Sequence, residues 1–171
     1  MRNLIMKYGL IAGGIMVGLF LATHFIGDAN GMSYNVAQNL GTITMIVALL
    51  TIFVGVKDYR DNLKSGKITF WNALKTGLLI NAIASLIFGI YTILLFKVID
   101  PQYGDKLKTK YVEGIKSSDM SQEQMDAAIA SLNNVPEIYE NVFLQGSIMF
   151  VTVFAIGIII SLISSFILKK A

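Results

Sequence analysis

Four long apolar runs separated by polar segments dominate the pattern of this chain. They predict membrane spans at about residues 4–26, 40–56, 70–98 and 138–168. A helix needs roughly 20 predominantly apolar residues to cross about 30 Å of hydrocarbon. The second run is the shortest, so we expect either its extension toward residue 36 or a local thinning of the bilayer. The pattern predicts an all-α fold in which residues 1–171 form a single membrane domain, a four-helix bundle.

A basic hinge marked by aromatic residues joins the second and third runs. Ser65 and Gly66 predict a turn, and Thr69 predicts the N-cap of the third helix. Phe70 and Trp71 are expected at headgroup depth, where aromatic rings are enriched in membrane proteins. The other runs are placed and oriented relative to this hinge.

Basic residues are concentrated on one side of the predicted membrane. The two termini and the second connection carry nine Lys and Arg residues against two acids, whereas the first and third connections carry five against nine. Because cytoplasmic segments carry the excess of Lys and Arg, both termini are expected in the cytoplasm and residues 100–141 outside it. The residues expected at the cytoplasmic interface, beside anionic lipid, are Tyr59, Arg60, Lys67, Phe70, Trp71 and Lys75.

The third connection is too long for a simple loop and shows two helical patterns. Apolar residues recur at helical spacing over residues 105–116, and Ser121 and Gln124 fit a capping box ahead of a second apolar stripe. We expect a helical extracytoplasmic insertion at about residues 100–135, either a hairpin that covers the bundle or a solvated loop without a binding role. Pro136 fits the first turn of the last helix.

Small residues form stripes in the first and last runs. The stripes consist of Gly9, Gly13, Gly14 and Gly18 in the first run and of Gly157, Ser161 and Ser165 in the last. Small residues let two helix backbones approach closely in lipid. We expect the two stripes to pack together within one chain; the alternative is that the glycine stripe is a self-association face.

Two pairs of polar residues lie within or near the predicted spans. Asn81 and Ser85 are one helical turn apart near the middle of the third span, where we expect a hydrogen bond to another helix. The alternative for Asn81 is contact with a substrate or an ion. His24 and Asp28 are also one turn apart, and we interpret them as an interfacial polar pair, since two ligands are too few for a metal site.

The composition removes several classes of chemistry. Cysteine is absent, which excludes disulfides and thiol catalysis, and the chain has a single histidine. No nucleophile–base pair and no cluster of metal ligands can be assembled from the sequence. We therefore expect no enzymatic activity, no catalytic residue, no metal, no cofactor and no nucleic-acid partner.

Four short motifs are similar to those of a known family: Tyr59-Arg60-Asp61, Ser65-Gly66-Lys67-Ile68-Thr69-Phe70-Trp71-Asn72-Ala73, Gly77, and Ile99-Asp100-Pro101-Gln102-Tyr103. Through them the chain resembles the bacterial membrane proteins grouped as the domain of unknown function 4199 (DUF4199) family. The resemblance covers nearly the whole chain. It implies four spans with a long connection before the last, and a place in the bacterial inner membrane. It implies no activity and no catalytic residue.

These patterns favour a non-enzymatic accessory, scaffold or regulatory protein of the inner membrane, with a membrane-protein partner or a second copy of the chain. The alternative is a homo-oligomeric small-solute transporter or pore. Asn81 discriminates between the two, because a transporter needs polar groups at membrane depth. If Asn81 is satisfied by another helix, transport loses its best residue.

Overall fold

The computed structural model describes residues 1–29, 32, 34–133 and 141–170, with the backbone alone for residues 28, 29, 34 and 133. Within these ranges every regular element is helical. The α-helices are α1 (Arg2–Ala29), α2 (Tyr34–Leu49), α3 (Thr51–Leu63), α4 (Phe70–Leu94), α5 (Tyr103–Lys116), α6 (Gln122–Asn133) and α7 (Val142–Leu168). A π-helical turn, Leu95–Ile99, continues α4. The all-α prediction is confirmed.

Four helical segments in the described ranges are long and apolar enough to cross a membrane: Arg2–Gly27, Asn35–Leu63, Phe70–Ile99 and Val142–Leu168. The predicted number of helices able to span a membrane is therefore confirmed. Residues 40–56 predict that the second segment is the shortest, but it is 29 residues long. It is longer because α3 continues through the charged residues that follow the apolar run.

The last span begins at Val142, later than the predicted residue 138. Asn141 has an extended backbone, and its side-chain Oδ1 accepts hydrogen bonds from the backbone N–H groups of Phe143 and Leu144, both at 3.1 Å. An asparagine in this position satisfies N–H groups that have no partner within the helix. The predicted helix start at Pro136 lies outside the described residues.

Helix α4 is the element on which the other spans pack. Its most extensive contacts are with α7, followed by α1 and then α3. Ile80, Ala84 and Phe88 bury its faces against these neighbours. Both the first and the last span are therefore held mainly by the third.

The glycines of α1 occupy two different environments. A Cβ added at Gly9 would lie 2.6 Å from the Ile83 Cβ, and one added at Gly13 would lie 2.7 Å from the Ile87 Cδ1, so the α1 backbone touches α4 side chains at both points. A Cβ added at Gly14 or Gly18 would meet nothing within 4 Å. The predicted glycine stripe is thus two stripes, and one of them has no neighbour in the described structure.

The predicted pairing of the first span with the last is wrong. Helix α7 directs Gly157 toward Asn81 and Ser161 toward Gly77, and both of these partners belong to α4. Contacts between α1 and α7 in the described ranges are negligible beside those that each makes with α4. The physical reason is that α4 has two different faces: Gly77 and Asn81 fit the small residues of α7, whereas Ile83 and Ile87 fill the space beside the α1 glycines.

The hinge between the second and third spans has the predicted conformation. Ser65 and Gly66 have φ values of 51° and 81°, which form the turn, and the Thr69 hydroxyl accepts a hydrogen bond from the Asn72 N–H at 3.4 Å. The hinge also pairs with the end of the chain, because Ile68 and the Lys170 backbone exchange two N–H to carbonyl hydrogen bonds of 2.9 Å.

The connection before the last span contains the two predicted helices, α5 and α6, which pack on each other. The capping box is confirmed: the Ser121 N–H donates to the Gln124 Oε1 at 3.1 Å, and the Gln124 N–H donates to the Ser121 hydroxyl at 3.4 Å. Helix α5 starts at Tyr103, two residues before the predicted start, and also contacts α2 and the π-helical turn.

We predict that Gly13→Ile destabilises the protein in detergent by about 1–3 kcal/mol, because its side chain would overlap Ile87 and push α1 away from α4. Gly14→Ile is the matched control. It makes the same change one residue along the same helix, where an added Cβ would meet no atom of another element within 4 Å. Thermal unfolding measures both. Equal melting temperatures for the two variants would contradict the assignment of Gly13 to the α1–α4 contact.

Candidate functional site

The polar pair in the middle of α4 is engaged by α7. Asn81 is fully buried, and its Nδ2 donates a hydrogen bond of 2.9 Å to the carbonyl oxygen of Phe154. The Ser85 hydroxyl donates to the Asn81 Oδ1 at 3.3 Å. Polar side chains within membrane helices commonly make such interhelical bonds. Asn81 is therefore satisfied by a neighbouring helix of the same chain.

Gly157 provides the space for the Asn81 side chain. A Cβ added at Gly157 would overlap the Asn81 Oδ1 and Cγ, which a packed structure does not tolerate. One turn further along α7, Ser161 lies against Gly77, where an added Cβ would approach the Ser161 hydroxyl to 2.9 Å. The Ser165 hydroxyl donates to the backbone carbonyl of Ser161 at 2.6 Å. The small-residue stripe of α7 thus forms a notched surface that fits α4.

His24, near the C-terminal end of α1, contacts an acid that is distant in the sequence. Its Nε2 lies 3.5 Å from the Asp100 Oδ2, and the Lys106 Nζ lies 2.7 Å from the same oxygen. The His24 and Asp100 side chains are only 9% and 12% exposed. The His24 ring also packs edge-on against the Tyr103 ring at 5.3 Å. Of the predicted pair His24 and Asp28, the Asp28 side chain lies outside the described residues.

The π-helical turn ends the third span beside His24. The Asp100 N–H donates to the Leu95 carbonyl at 2.8 Å, five residues back, which defines the wider turn. Pro101 disfavours a helical conformation at Asp100, so the chain leaves the helix there and enters α5. Turns of this type inside α-helices are often found at functional sites.

A cavity of about 80 Å³ lies next to this cluster, and α1, α2, the third span and α5 all contribute to its lining. Its lining includes the polar side chains of His24, Tyr91, Tyr103 and Lys110. Tyr91 is 6% exposed, and its buried hydroxyl has no hydrogen-bond partner among the described residues. A buried polar group without a partner is unusual and calls for an explanation.

Sequence patterns do not predict this grouping. They mark Asp100 as part of a family motif, and nothing in the pattern of α4 distinguishes Tyr91 from an interfacial aromatic residue. The signals available were the single histidine at the end of a span and the Asp-Pro pair at the end of another. Only the fold brings them together.

The aromatic residues predicted at the interface lie at the hinge end of the protein. Phe70 packs edge-on against Trp71 and Phe166, with ring centroids 5.4 and 5.1 Å apart, and Trp71 is 74% exposed. Tyr59 is buried, and its hydroxyl lies 3.7 Å from the Met1 Sδ.

The charged residues at the hinge end divide into paired acids and exposed bases. Asp61 forms an ion pair of 2.7 Å with Arg60, and Asp58 accepts a hydrogen bond of 2.9 Å from the Tyr8 hydroxyl. Lys67 and Lys75 are exposed. Both acids of this end are thus already engaged within the protein, and the exposed charge is predominantly positive.

In the part of the chain that the structure describes, His, Asp and Glu side chains form no group of three or more able to hold a metal ion.

We predict a coupling between Gly157 and Asn81. Gly157→Ala alone should cost roughly 1–3 kcal/mol, because its methyl group overlaps the Asn81 amide. Asn81→Ala alone should cost roughly 0.5–2 kcal/mol through the lost interhelical bond. In the double variant the atoms that clash are gone, so the total should fall clearly below the sum.

Thermal or denaturant unfolding in detergent measures the cycle. The matched control combines Asn81→Ala with Gly146→Ala, a change on the same face of α7 that meets Ile93 and the Gly89 carbonyl instead. That pair should be additive. Additivity of the Gly157 and Asn81 changes as well would show that the two residues do not share this contact.

Comparison with curated proteins gave no match, and neither did comparison with solved structures. A sequence model of one family matches the chain over residues 7–170, which include most of the first candidate span, the other three, the hinge and the connection with α5 and α6. The family is described as protein of unknown function (DUF4199). The chain belongs to this DUF4199 family.

Proposed function

We propose that this protein is a non-enzymatic accessory, scaffold or regulatory protein of the bacterial cytoplasmic membrane. In this proposal its four spans form one bundle, and the hairpin of α5 and α6 contacts a partner outside the cytoplasm. The observation that carries the proposal is the engagement of Asn81 by α7. It assigns the most polar residue at membrane depth to holding the helices together.

The same use of polar groups recurs along the spans. Thr76 and Thr92 donate their hydroxyl hydrogens to backbone carbonyls one turn earlier in α4, at 2.8 and 3.0 Å. Such bonds satisfy threonine inside a membrane helix without any ligand. Groups that a carrier would present to its substrate therefore serve the packing of this chain, which supports a role without transport.

The hairpin is the part of the protein best suited to meet a partner. Helices α5 and α6 bury none of their residues completely, and their exposed faces carry charges of both signs, such as Lys106, Glu113 and Glu123. A hairpin that packs on α2 and the π-helical turn at one side leaves the remaining faces available. A surface of this kind fits the polar outer domain of another membrane protein.

The proposed orientation follows from charge. The exposed Lys67 and Lys75 lie at the end that also holds both termini, where the acids are already paired. Basic residues next to a span are attracted to the anionic lipids of the cytoplasmic leaflet. We therefore propose cytoplasmic termini, anionic lipid at that face and an extracytoplasmic hairpin.

A homo-oligomeric transporter or pore is the competing function. The observation in its favour is the open environment of Gly14 and Gly18, where a second copy of α1 would find the small residues that close helix packing requires. Oligomer formation would then have to create the polar pathway that the single chain lacks.

We predict that native mass spectrometry of the protein, extracted from its own membrane in mild detergent, shows a second polypeptide at fixed stoichiometry. The charge reversal Glu113→Lys with Glu123→Lys on the exposed hairpin surface should remove that polypeptide, and the control Lys67→Glu at the opposite end should retain it. A closed homo-oligomer without another polypeptide would contradict the accessory role and favour the transporter or pore.

The orientation has its own test. The chain has no cysteine, so Ser65→Cys and Met120→Cys introduce single labels at exposed positions of the hinge and of the turn between α5 and α6. In intact cells a membrane-impermeant thiol reagent should modify only the Met120 variant, and lysis should expose the Ser65 variant. Labelling of both from the same side would refute the proposed topology.

A further inference from the structure

We propose that the cavity beside His24 binds an oxyanion, either the phosphate of a lipid headgroup or a small free anion. The cavity is a different place from the α4–α7 contact and from the outer surface of the hairpin. It lies where the outer end of α1 meets α2, the end of the third span and α5. The proposal does not depend on the accessory function.

The unpartnered hydroxyl of Tyr91 is the first reason to expect a ligand. Leaving a buried hydroxyl without a hydrogen bond destabilises the folded state, so such groups are uncommon in proteins. Tyr91 lines the cavity, and replacing its ring by the equally large phenylalanine ring would remove the cost. A ligand oxygen at this position would accept the hydroxyl hydrogen.

The charges of the lining indicate which ligand. The lining includes the basic side chains of Lys110 and His24 and, besides Tyr91, the phenol of Tyr103. In the described part of the chain no carboxylate lines the cavity. Asp100, which contacts the lining residue His24 at 3.5 Å, also pairs with Lys106 at 2.7 Å. A lining rich in donors and basic groups favours an oxygen anion over a cation.

The size and the remaining lining agree with this class. A single water needs about 10–15 Å³, so a cavity of about 80 Å³ admits a group of several heavy atoms, as in a phosphate. The rest of the lining is largely apolar and includes Phe20 and Leu95. Such a lining suits the ester carbons of a lipid and also tolerates a compact free anion.

The test uses the full chain, purified in a neutral detergent without phosphate, and follows thermal unfolding. The probes are inorganic phosphate, phosphatidylglycerol and a diacylglycerol. The diacylglycerol has the same acyl chains as the phosphatidylglycerol but no phosphate, and it is the control. We expect phosphate or phosphatidylglycerol, but not diacylglycerol, to raise the melting temperature by roughly 5 °C. A rise with inorganic phosphate identifies a free-anion site, and a rise with the phospholipid alone identifies a headgroup site.

Tyr91→Phe distinguishes this cavity from general attraction of anions to surface lysines. The variant should melt no lower than the wild type without ligand, because it loses only an unsatisfied hydroxyl, and it should lose most of the ligand-induced rise. Tyr59→Phe, the same substitution at the hinge end, should keep the full rise.

Two results would overturn the proposal: no probe raises the wild-type melting temperature, or Tyr91→Phe keeps the full rise. If Tyr91→Phe does not fold, Lys110→Gln decides in its place, since loss of the rise there supports the site and its retention refutes it.

Discussion

The close approach of α4 and α7 is the constraint on which the rest of the structure depends. Lipid tails are as apolar as the helix surfaces, so exclusion from water contributes little to bringing two membrane helices together, and contact at short range must do so. Here the contact is specific: the Asn81 amide occupies the space that Gly157 leaves and bonds to the Phe154 carbonyl. Because α1 and α3 also pack on α4, misplacing this one contact would shift the helices that pack on α4.

The polar groups of the protein fall into two classes by this measure. Those in the first class, such as Asn81 and Ser85, are satisfied within the chain and bring helices into register. Those in the second class are buried hydroxyls without a described partner: that of Ser161 in the α4–α7 contact and that of Tyr91 near His24. The first class helps to set how the helices pack, and the second retains polar atoms whose hydrogen-bonding capacity the described fold does not use.

Sequence patterns were sufficient for the parts of the fold that local physics determines. The apolar runs, the Ser65-Gly66 turn, the Thr69 cap and the Ser121 capping box each depend on residues a few positions apart. Helical periodicity reports which residues share a face, but it does not report which helix covers that face. For this reason the sequence predicts that the α1 glycines pack on the last span, although Gly9 and Gly13 contact the third and Gly14 and Gly18 contact nothing described. For the same reason the sequence pairs His24 with an acid one turn away, whereas its described acidic partner is Asp100, which only the folded chain brings near.

The pair of backbone hydrogen bonds between Ile68 and Lys170 has a consequence for the order of assembly. It joins positions far apart in sequence, so its loop-closure cost is among the highest in the molecule, and two hydrogen bonds alone do not offset it. It therefore forms after α4 and α7 have docked and is among the first contacts to open when they separate. Protection of these two amides from hydrogen exchange would then report the completed tertiary structure, and its loss would mark partial dissociation of the last helix before any helix has melted.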